Sequence, residues 1–348
     1  LLLMKNIVFT HEAGRILRES LQTTAPGGVF VLVDDTTREH CLGLFQDSGF
    51  TDSHLISVPA GEHHKSLESV AQIWSVLSRQ GAKRNSVLVN IGGGLITDIG
   101  GFAASCFKRG IRCINIPTTL LAQVDASVGG KTGINFNGLK NEIGTFSIPE
   151  LVIIDNTFLK TLPLRQVLSG YAEMLKHALL AGEEALAEVM NADLKQVGES
   201  DFLELIRKSV AVKAAVVEAD PKEKGIRKAL NFGHTIGHAI ESVAIEQDME
   251  IYHGDAVAYG MVVELYLSMK KLGFETRHYE AVRRLVEERF PRYRAVAGPE
   301  KLYSLMLHDK KNEQDGVNFT LLRCPGEFEI DNYCSKEEIL SALEQLTV

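Results

Sequence analysis

The pattern of hydrophobic and polar positions changes near Pro163. Before this residue, short apolar runs rich in β-branched side chains alternate with longer amphipathic stretches. The short runs indicate strands and the longer stretches indicate helices. Such alternation predicts a mostly parallel sheet with helices on its faces. We expect strands at Ile7 to Thr10, Val29 to Val33, Ile56 to Val58, Val87 to Ile91, Ile111 to Ile116 and Leu151 to Ile154, and helices at Ala13 to Gln22, Arg38 to Asp47, Ser66 to Gln80 and Leu95 to Cys106.

After Pro163 the pattern becomes helical. Apolar residues recur there at the spacing of an amphipathic helix. We therefore predict an α/β N-terminal Rossmann-like domain with a mostly parallel sheet over residues 1–163, and an all-α C-terminal domain over residues 164–348. A chain of 348 residues also exceeds the usual size of a single core. The second-domain helices are expected at Gln166 to Leu180, Glu183 to Ala192, Asp201 to Glu218, Ala229 to Ala244, Ala256 to Lys271, His278 to Glu288 and Pro299 to His308.

Composition narrows the class of protein. The net charge is −8, so no overall basic field is present to hold nucleic acid or an anionic membrane. No apolar run reaches the roughly 20 residues that a membrane span needs. The five cysteines are scattered and form no CxxC pair, which is typical of reduced thiols. We expect a cytoplasmic enzyme with neither a nucleic-acid nor a membrane partner.

A cluster of polar side chains interrupts the apolar second half. Arg227, Asn231, His234 and His238 follow one another at three or four positions, and His253 comes shortly afterwards. On a single helix these four would share one face. A lone histidine is more often a packing residue, but several close together favour a metal site, since imidazole is a common zinc ligand. Spacing alone favours His234 and His238 as the ligand pair.

A glycine turn follows the expected strand at Val87 to Ile91. Gly92, Gly93 and Gly94 lead into a helix that carries Thr97 and Asp98. Glycines let a phosphate approach the backbone, and a helix amino terminus attracts an anion. The turn is not a GxGxxG fingerprint, so a pyrophosphate site and a simple tight turn both remain open.

Two other segments close to this turn allow similar alternatives. Asp34 ends a strand, and the loop from Gly61 to Lys65 follows another. Either could hold ribose or adenine, or could be solvated. Residues 117–145 are dense in glycine and polar residues, which is usually functional. They are not a Walker A loop, because Asp125 stands where GxxxxGK[ST] requires its first glycine.

Charged residues also occur in the helical half. Glu173 lies one turn from Lys176 and His177, which by itself indicates no more than an exposed ion pair worth about 0.3 to 0.5 kcal/mol. Lys213 lies within an apolar run, where its ammonium group needs a partner.

Taken together, these segments resemble the 3-dehydroquinate synthase family of the shikimate pathway, from about Gly61 to Lys311. The resemblance covers both predicted domains, and its motifs occur in the family's order. They are Gly92-Gly93-Gly94 with Asp98, Pro117-Thr118-Thr119, Asp125 with Gly129-Gly130-Lys131, Lys140-Asn141, Tyr171-Ala172-Glu173-Met174-Leu175-Lys176, Asn231-Phe232-Gly233-His234, and Asp309-Lys310-Lys311.

The resemblance implies a chemistry and its cofactors. Family members bind NAD and one Zn²⁺, which Co²⁺ can replace, and act on the sugar phosphate 3-deoxy-D-arabino-heptulosonate 7-phosphate. The alcohol at C5 is oxidised, phosphate leaves C7 with loss of a proton from C6, the ketone is reduced again, and an aldol step closes the ring. The resemblance also implies a homodimer.

Residue roles follow from the same resemblance. Glu173, His234 and His253 are expected to bind the metal, so His253 replaces His238 of the spacing argument. The expected catalytic residues are Asp125, Lys176, Lys213, Asn231 and His238, and the expected substrate-binding residues are Arg109 (toward the adjacent subunit), Lys131, Asn141, Arg227 and Lys310. The expected NAD contacts are Gly61, Glu62, Lys65, Gly93, Gly94, Thr97, Asp98, Thr118, Thr119, Lys131, Lys140, Phe158 and Thr161.

Two features depart from the family pattern. Thr97 stands where a glycine often precedes the aspartate. Since its hydroxyl can still donate to a pyrophosphate oxygen, we expect altered cofactor contacts and retained NAD binding. A short insertion separates His238 from His253. The alternatives are another sugar-phosphate cyclase, a metal-dependent polyol dehydrogenase, which would release NADH, and a non-catalytic metal-binding protein. We interpret His177 as a supporting or packing residue.

Overall fold

The chain divides into two compact units. The computed structural model describes residues 2–22, 27–48, 54–137, 139–292, 297–307 and 316–346. The first unit comprises Leu1–Pro163 and Leu194–Ala214, and the second comprises Leu164–Asp193 and Ala215–Val348. The segment 194–214 therefore groups with the first unit, whereas the sequence pattern assigned it to the helical domain.

The first unit is built on a six-stranded sheet. All of its pairings are parallel, in the order β1-β8-β5-β4-β2-β3. The predicted mostly parallel sheet is confirmed. Its strands are β1 (Ile7–Thr10), β2 (Val29–Asp34), β3 (Leu55–Val58), β4 (Val87–Gly92), β5 (Arg112–Pro117) and β8 (Leu151–Asp155), and a separate pair is formed by β6 (Lys131–Phe136) and β7 (Leu139–Phe146).

Side chains on the two faces of the sheet enter two hydrophobic cores. On β2, Phe30 and Leu32 belong to one core, and Val31 and Val33 belong to the other. This division follows from the strand geometry, in which successive side chains point to opposite faces. Both faces are covered, which explains why the strands read as continuous apolar runs.

The helices near the sheet are α1 (Ala13–Gln22), α2 (Asp35–His40), α3 (Leu67–Arg79) and α4 (Gly94–Cys106). Two of them, α2 and α3, begin at side-chain caps. The Asp34 carboxylate accepts a hydrogen bond from the Thr37 backbone N–H at 2.7 Å and so caps α2. Asp34 is thus occupied as a cap. The single helix expected at Arg38 to Asp47 is wrong, because α2 ends at His40 and a 3₁₀-helix follows at Leu42–Ser48.

The segment expected to be loop contains regular structure. Strands β6 and β7 form an antiparallel hairpin, and Ala122–Ala126 forms a π-helical turn. Gly133 and Gly144 face each other in the hairpin. A Cβ on Gly144 would lie 2.0 Å from the Thr132 carbonyl oxygen, so the glycines permit a close strand approach.

The second unit is largely helical. Helices α5 (Leu164–Ala181), α6 (Glu183–Met190), α7 (Ser200–Ala219), α8 (His234–Glu246), α9 (His253–Leu272), α10 (Thr276–Arg289), α11 (Pro299–Leu307) and α12 (Lys336–Leu343) follow in order, and most of α7 groups with the first unit. The expectation of an all-α part missed a two-stranded antiparallel pair, β9 (Val317–Cys324) and β10 (Glu327–Cys334). Among the described helices, none has the length and apolar character needed to cross a bilayer.

The chain breaks just before α8. A 3₁₀-helix covers Ile226–Asn231, and α8 begins only at His234. Gly233 between them has a φ of +81°, and its N–H donates to the Glu264 carboxylate at 2.6 Å. The expected continuous helix from Ala229 to Ala244 is therefore wrong. Asn231 and His234 do not share one helical face.

Candidate active site

Three metal-ligating side chains of the second unit lie together. Glu173 is on α5, His234 is the first residue of α8, and His253 is the first residue of α9. The Nε2 atoms of His234 and His253 lie 3.4 and 3.6 Å from Glu173 Oε1. One ligand atom from each residue lies within 4.8 Å of the others. The structure thus brings together the three residues expected to bind metal. We call them the ligand triad.

Close backbone packing holds α5 against α9. The Gly254 N–H donates to Ser169 Oγ at 3.0 Å. A Cβ on Gly254 would lie 2.3 Å from Ser169 Cα, so glycine is needed beside His253. On the other side of α9, a Cβ on Gly260 would lie 2.0 Å from the Gly233 carbonyl oxygen. These glycines let the three helices approach closely enough to assemble the triad.

The charge at the centre of the triad is compensated locally. Glu173 is fully buried and forms an ion pair with Lys176, one turn along α5. Burial favours the protonated carboxyl, but the Lys176 ammonium and the rings of His234 and His253 outweigh it. The pKa of Glu173 is therefore held well below its ordinary value. Glu173 is a carboxylate at neutral pH.

The two histidines of the triad are shifted in opposite directions. Burial and the nearby Lys176 ammonium lower the pKa of His234 well below its ordinary value. Burial also opposes charge on His253, but the neighbouring carboxylates of Glu241 and Glu173 raise the pKa of His253 to about 10. The difference arises because His253 faces two carboxylates.

The triad has the donor set of a catalytic divalent metal site. Both oxygens of Glu173 are buried, and apart from the Lys176 ion pair neither accepts a hydrogen bond from the described residues. A buried carboxylate left in this state is costly unless a cation completes it. Two imidazoles and one carboxylate are typical of zinc and leave further positions open. The residues fit Zn²⁺ or Co²⁺.

Three residues expected to contact substrate lie in the second unit. His238 is one turn from His234 on α8, with ring centroids 5.3 Å apart. Asn231 Nδ2 donates to Glu223 Oε1 at 3.1 Å. Arg227 is buried, and its Nη1 donates to the Pro221 carbonyl at 2.9 Å. All three are held by local contacts on elements next to the triad residues in sequence.

The glycine turn of the first unit lies where two central strands end. Gly93 caps the amino terminus of α4, and the Thr118 N–H donates to the Gly92 carbonyl at 3.0 Å. A Cβ on Gly93 would lie 3.0 Å from Thr119 Cγ2, so the backbone is tightly packed there. The carboxyl ends of adjacent parallel strands and a helix amino terminus form a common anion site.

A buried ion pair lies beside α4. Lys65 Nζ donates to Asp98 Oδ2 and Asn141 Oδ1, each at 2.5 Å. Burial raises the pKa of Asp98, and the Lys65 ammonium offsets part of this effect. Asn135 accepts from the Asn141 N–H at 2.9 Å and donates to Glu62 Oε1 at 3.0 Å. Asn135 therefore links Glu62 to Asn141, and through Asn141 to Lys65 and Asp98; all four were expected to contact a ligand.

Asp125 and Lys213 form a second ion pair in the first unit. Lys213 Nζ donates to Asp125 Oδ1 at 2.5 Å and to the Asp125 carbonyl at 2.7 Å. This contact supplies the partner that the apolar run around Lys213 required. Since Lys213 is buried and Asp125 is partly exposed, the pair presents charge to solvent through its carboxylate.

Other expected contacts are placed differently. The Thr97 hydroxyl is buried and donates to the Gly94 carbonyl at 3.1 Å, and its contact with NAD stays a prediction. Phe158 packs in a hydrophobic core, and Thr161 Oγ1 donates to the Phe158 carbonyl at 3.4 Å. Gly61 has a φ of +111° and precedes the turn that carries Glu62.

The remaining expected cations of the first unit lie on its surface. Lys131 and Lys140 are exposed on the β6–β7 hairpin. Arg109 lines a surface cavity of about 440 Å³ with Lys83, Arg84 and Lys108. Lys310 lies outside the described residues.

Of the residues that support the site, the sequence analysis noticed His177, whose Nε2 lies 4.0 Å from Glu173 Oε2. It missed three others. Glu241 contacts His253, Glu264 binds the Gly233 N–H, and Asn135 joins Asn141 to Glu62. Glu241 had one detectable signal, a carboxylate seven positions after His234 on a mainly apolar helix.

The fold and the site together point to a class of protein. The chain is similar to 2-epi-5-epi-valiolone synthase from Streptomyces hygroscopicus subsp. jinggangensis, solved with NAD⁺ and Zn²⁺ bound, at 26% identity and a TM-score of 0.85 over 98% of this chain and 96% of that one. It is also similar to 2-deoxy-scyllo-inosose synthase complexed with carbaglucose-6-phosphate, NAD⁺ and Co²⁺, at 25% identity and a TM-score of 0.83 over 97% and 96%. The architecture is thus shared with sugar-phosphate cyclases.

Sequence comparison identifies the family within this class. The N-terminal model of 3-dehydroquinate synthase matches residues 55–169, and the C-terminal model matches residues 170–312. The 3-dehydroquinate synthase of Parabacteroides distasonis is 49% identical over 342 residues, which cover 98% of this chain and 97% of that protein. The chain belongs to the 3-dehydroquinate synthase family.

Proposed function

We propose that this chain converts 3-deoxy-D-arabino-heptulosonate 7-phosphate to 3-dehydroquinate and phosphate, as a phosphate-eliminating carbon–oxygen lyase of the shikimate pathway. The observation that supports this most is the ligand triad, in which a buried carboxylate and two imidazoles adjoin Lys176. Family membership supplies the substrate, and the triad supplies a means of controlling charge on it.

The proposed cofactors are NAD and one divalent metal, Zn²⁺ or Co²⁺. Glu173, His234 and His253 would hold the metal, and the turn at Gly93 and Gly94 would hold the NAD pyrophosphate. When bound, the metal supplies a Lewis acid for the substrate hydroxyls, and NAD accepts and returns a hydride at C5. This assignment is supported by the cofactors of the two solved relatives.

Residues around the triad would orient the substrate. Lys176 keeps Glu173 ionised and can donate to a neighbouring hydroxyl oxygen. Asn231 and His238 would orient the C4 and C5 hydroxyls. In the first unit, the ion pair of Asp125 and Lys213 offers a carboxylate and an ammonium for moving the hydroxyl proton.

Cations would bind the two anionic ends of the substrate. Arg227, Lys131 and Lys310 are the proposed contacts to the carboxylate and phosphate, with Asn141 as a neutral donor. In the elimination, the C6–H bond breaks as the C7–O bond to phosphate breaks, and the proton passes to the departing phosphate. No separate general base is then needed. The hydride taken from C5 returns to C5, so no NADH is released.

We infer that the working enzyme is a cytoplasmic homodimer. The dimer is supported by the resemblance of Arg109 to a family arginine that reaches the neighbouring subunit's substrate. Five free cysteines are typical of a reducing compartment.

Glu173→Gln tests the proposed function. The amide keeps the shape of the side chain but removes the charge that binds the metal, so phosphate release should fall by at least 100-fold while the fold is retained. Glu184→Gln, on the exposed surface of α6, makes the same charge change and should release phosphate normally. Normal turnover by Glu173→Gln would refute the assignment of the triad.

A further inference from the structure

Glu241 lies behind one of the expected metal ligands. It is buried on α8, and its Oε2 lies 3.3 Å from His253 Nδ1. His234, His238 and Glu241 occupy successive positions on one face of α8, at i, i+4 and i+7. The rings of His234 and His238 and the carboxylate of Glu241 therefore face the amino end of α9, where His253 lies.

The two nitrogens of His253 face two different carboxylates. Nε2 is directed to Glu173, 3.6 Å away, and Nδ1 is directed to Glu241. An imidazole binds a metal through a nitrogen that carries no proton, so its other nitrogen carries the proton and needs an acceptor. The geometry supplies that acceptor on the side opposite the triad.

We propose that Glu241 is a positioning residue of the metal site: its carboxylate accepts the Nδ1–H of His253, and so fixes the ring orientation and leaves Nε2 as the metal ligand. This inference rests on the proposed triad. Carboxylates that support a ligand histidine typically change metal affinity by about 10- to 100-fold when they are removed.

An ordinary structural role would give a different result. If the buried carboxylate only fills space, its removal would lower the stability of the fold, and metal affinity would fall only as far as the protein unfolds. A positioning carboxylate should affect metal affinity in a protein that is still folded. The amide oxygen of Glu241→Gln can still accept the Nδ1–H, so this variant should recover most of what Glu241→Ala loses.

The test measures binding of Zn²⁺ and Co²⁺ to metal-free protein, without substrate. Affinity is measured by competition with a chromogenic chelator, and the Co²⁺ absorption spectrum reports ligand geometry. Glu246→Gln is the matched control, because Glu246 lies on the same helix but is exposed. Circular dichroism of each metal-free variant checks the fold.

We expect Glu241→Ala to bind both metals about 10- to 100-fold more weakly, with an altered Co²⁺ spectrum. Glu241→Gln should lose less affinity and keep the wild-type spectrum, and Glu246→Gln should match the wild type. A folded Glu241→Ala that binds metal like Glu246→Gln would overturn the proposal. If Glu241→Ala does not fold, Glu241→Met decides, because it keeps the length of the side chain but lacks the carboxylate acceptor. Weaker metal binding by Glu241→Met than by Glu246→Gln supports the proposal, and equal binding overturns it.

The two proposals can fail separately. Suppose that Glu241→Ala loses metal affinity and that the wild-type protein releases no phosphate from the heptulosonate phosphate. This pair of results would support the role of Glu241 and refute the proposed function. If Glu241→Ala has normal metal affinity and the wild-type protein does release phosphate, only the role of Glu241 is refuted.

Discussion

At the scale of single residues, the ligand triad depends on Gly254. Any side chain there would collide with the Ser169 backbone on α5. Gly254→Ala should therefore push α9 away from α5, weaken Zn²⁺ binding and lower the free energy of unfolding by about 1 to 3 kcal/mol. Chelator competition and urea unfolding measure the two effects.

The control for this substitution is Gly43→Ala. An added Cβ at Gly43 meets no described atom within 4 Å, so stability and metal binding should not change. If Gly254→Ala behaves like Gly43→Ala, close packing at this position does not hold the triad together.

The sequence predicted some site residues better than others. Spacing selected His234 and His238 as ligands, and both do lie one turn apart on α8, but the residue grouped with Glu173 and His234 is His253. The break at Gly233, which has a positive φ, instead takes Asn231 off that helix face. His253 was noted in the histidine cluster, but its role as a ligand came from the family resemblance, since nothing in local spacing brings the start of α9 beside Glu173. The Thr97 hydroxyl donates to the Gly94 carbonyl of its own helix, a contact that the motif does not reveal.

At the scale of secondary-structure elements, α3 and α4 are joined through the loop that precedes α3. Lys65 from this loop pairs with Asp98 on α4, and both side chains are largely buried. Lys65→Ala would leave the Asp98 carboxylate without its cation, which should cost about 3 to 5 kcal/mol of unfolding free energy at pH 7. The exposed variant Lys83→Ala should cost almost nothing.

The loss of unfolding free energy in Lys65→Ala, relative to the wild type, should also depend on pH. Burial already raises the pKa of Asp98, and removal of Lys65 would raise it further. Between the unfolded and folded pKa values the folded state binds the extra proton, so the variant's stability falls as pH rises through that window. The deficit relative to wild type should shrink between pH 7 and pH 5 in urea unfolding. An equal deficit at both pH values would contradict this account.

Elements were predictable where one pattern dominated. The parallel strands were found because both of their faces are buried, which gives apolar runs such as Val29 to Val33 in β2. The β6–β7 hairpin was missed because Gly133 and Gly144 replace the side chains that usually mark strands. The β9–β10 hairpin was missed although its signal is local, since Cys324 pairs with Glu327 across the two-residue turn Pro325-Gly326. The helical pattern that precedes it was extended over the rest of the chain.

At the scale of the whole molecule, burial should decide which thiols react. Burial raises the pKa of Cys41 to about 11, and burial raises the pKa of Cys113 and Cys334 to about 12 each. At pH 8, a thiol reagent should therefore label the exposed Cys106 first and these three only after unfolding. Peptide mapping by mass spectrometry gives the order. Rapid labelling of Cys113 in the native protein would contradict the packing of the first unit.

The central claim concerns the overall reaction, a phosphate elimination with no net oxidation. The most direct measurement follows phosphate release and NADH absorbance together, from 3-deoxy-D-arabino-heptulosonate 7-phosphate with NAD and Zn²⁺, with and without a chelator. We expect phosphate equimolar with the substrate consumed, no accumulation of NADH, and loss of both turnover and phosphate release when the metal is removed. Steady NADH accumulation without phosphate release would contradict the claim and indicate a polyol dehydrogenase.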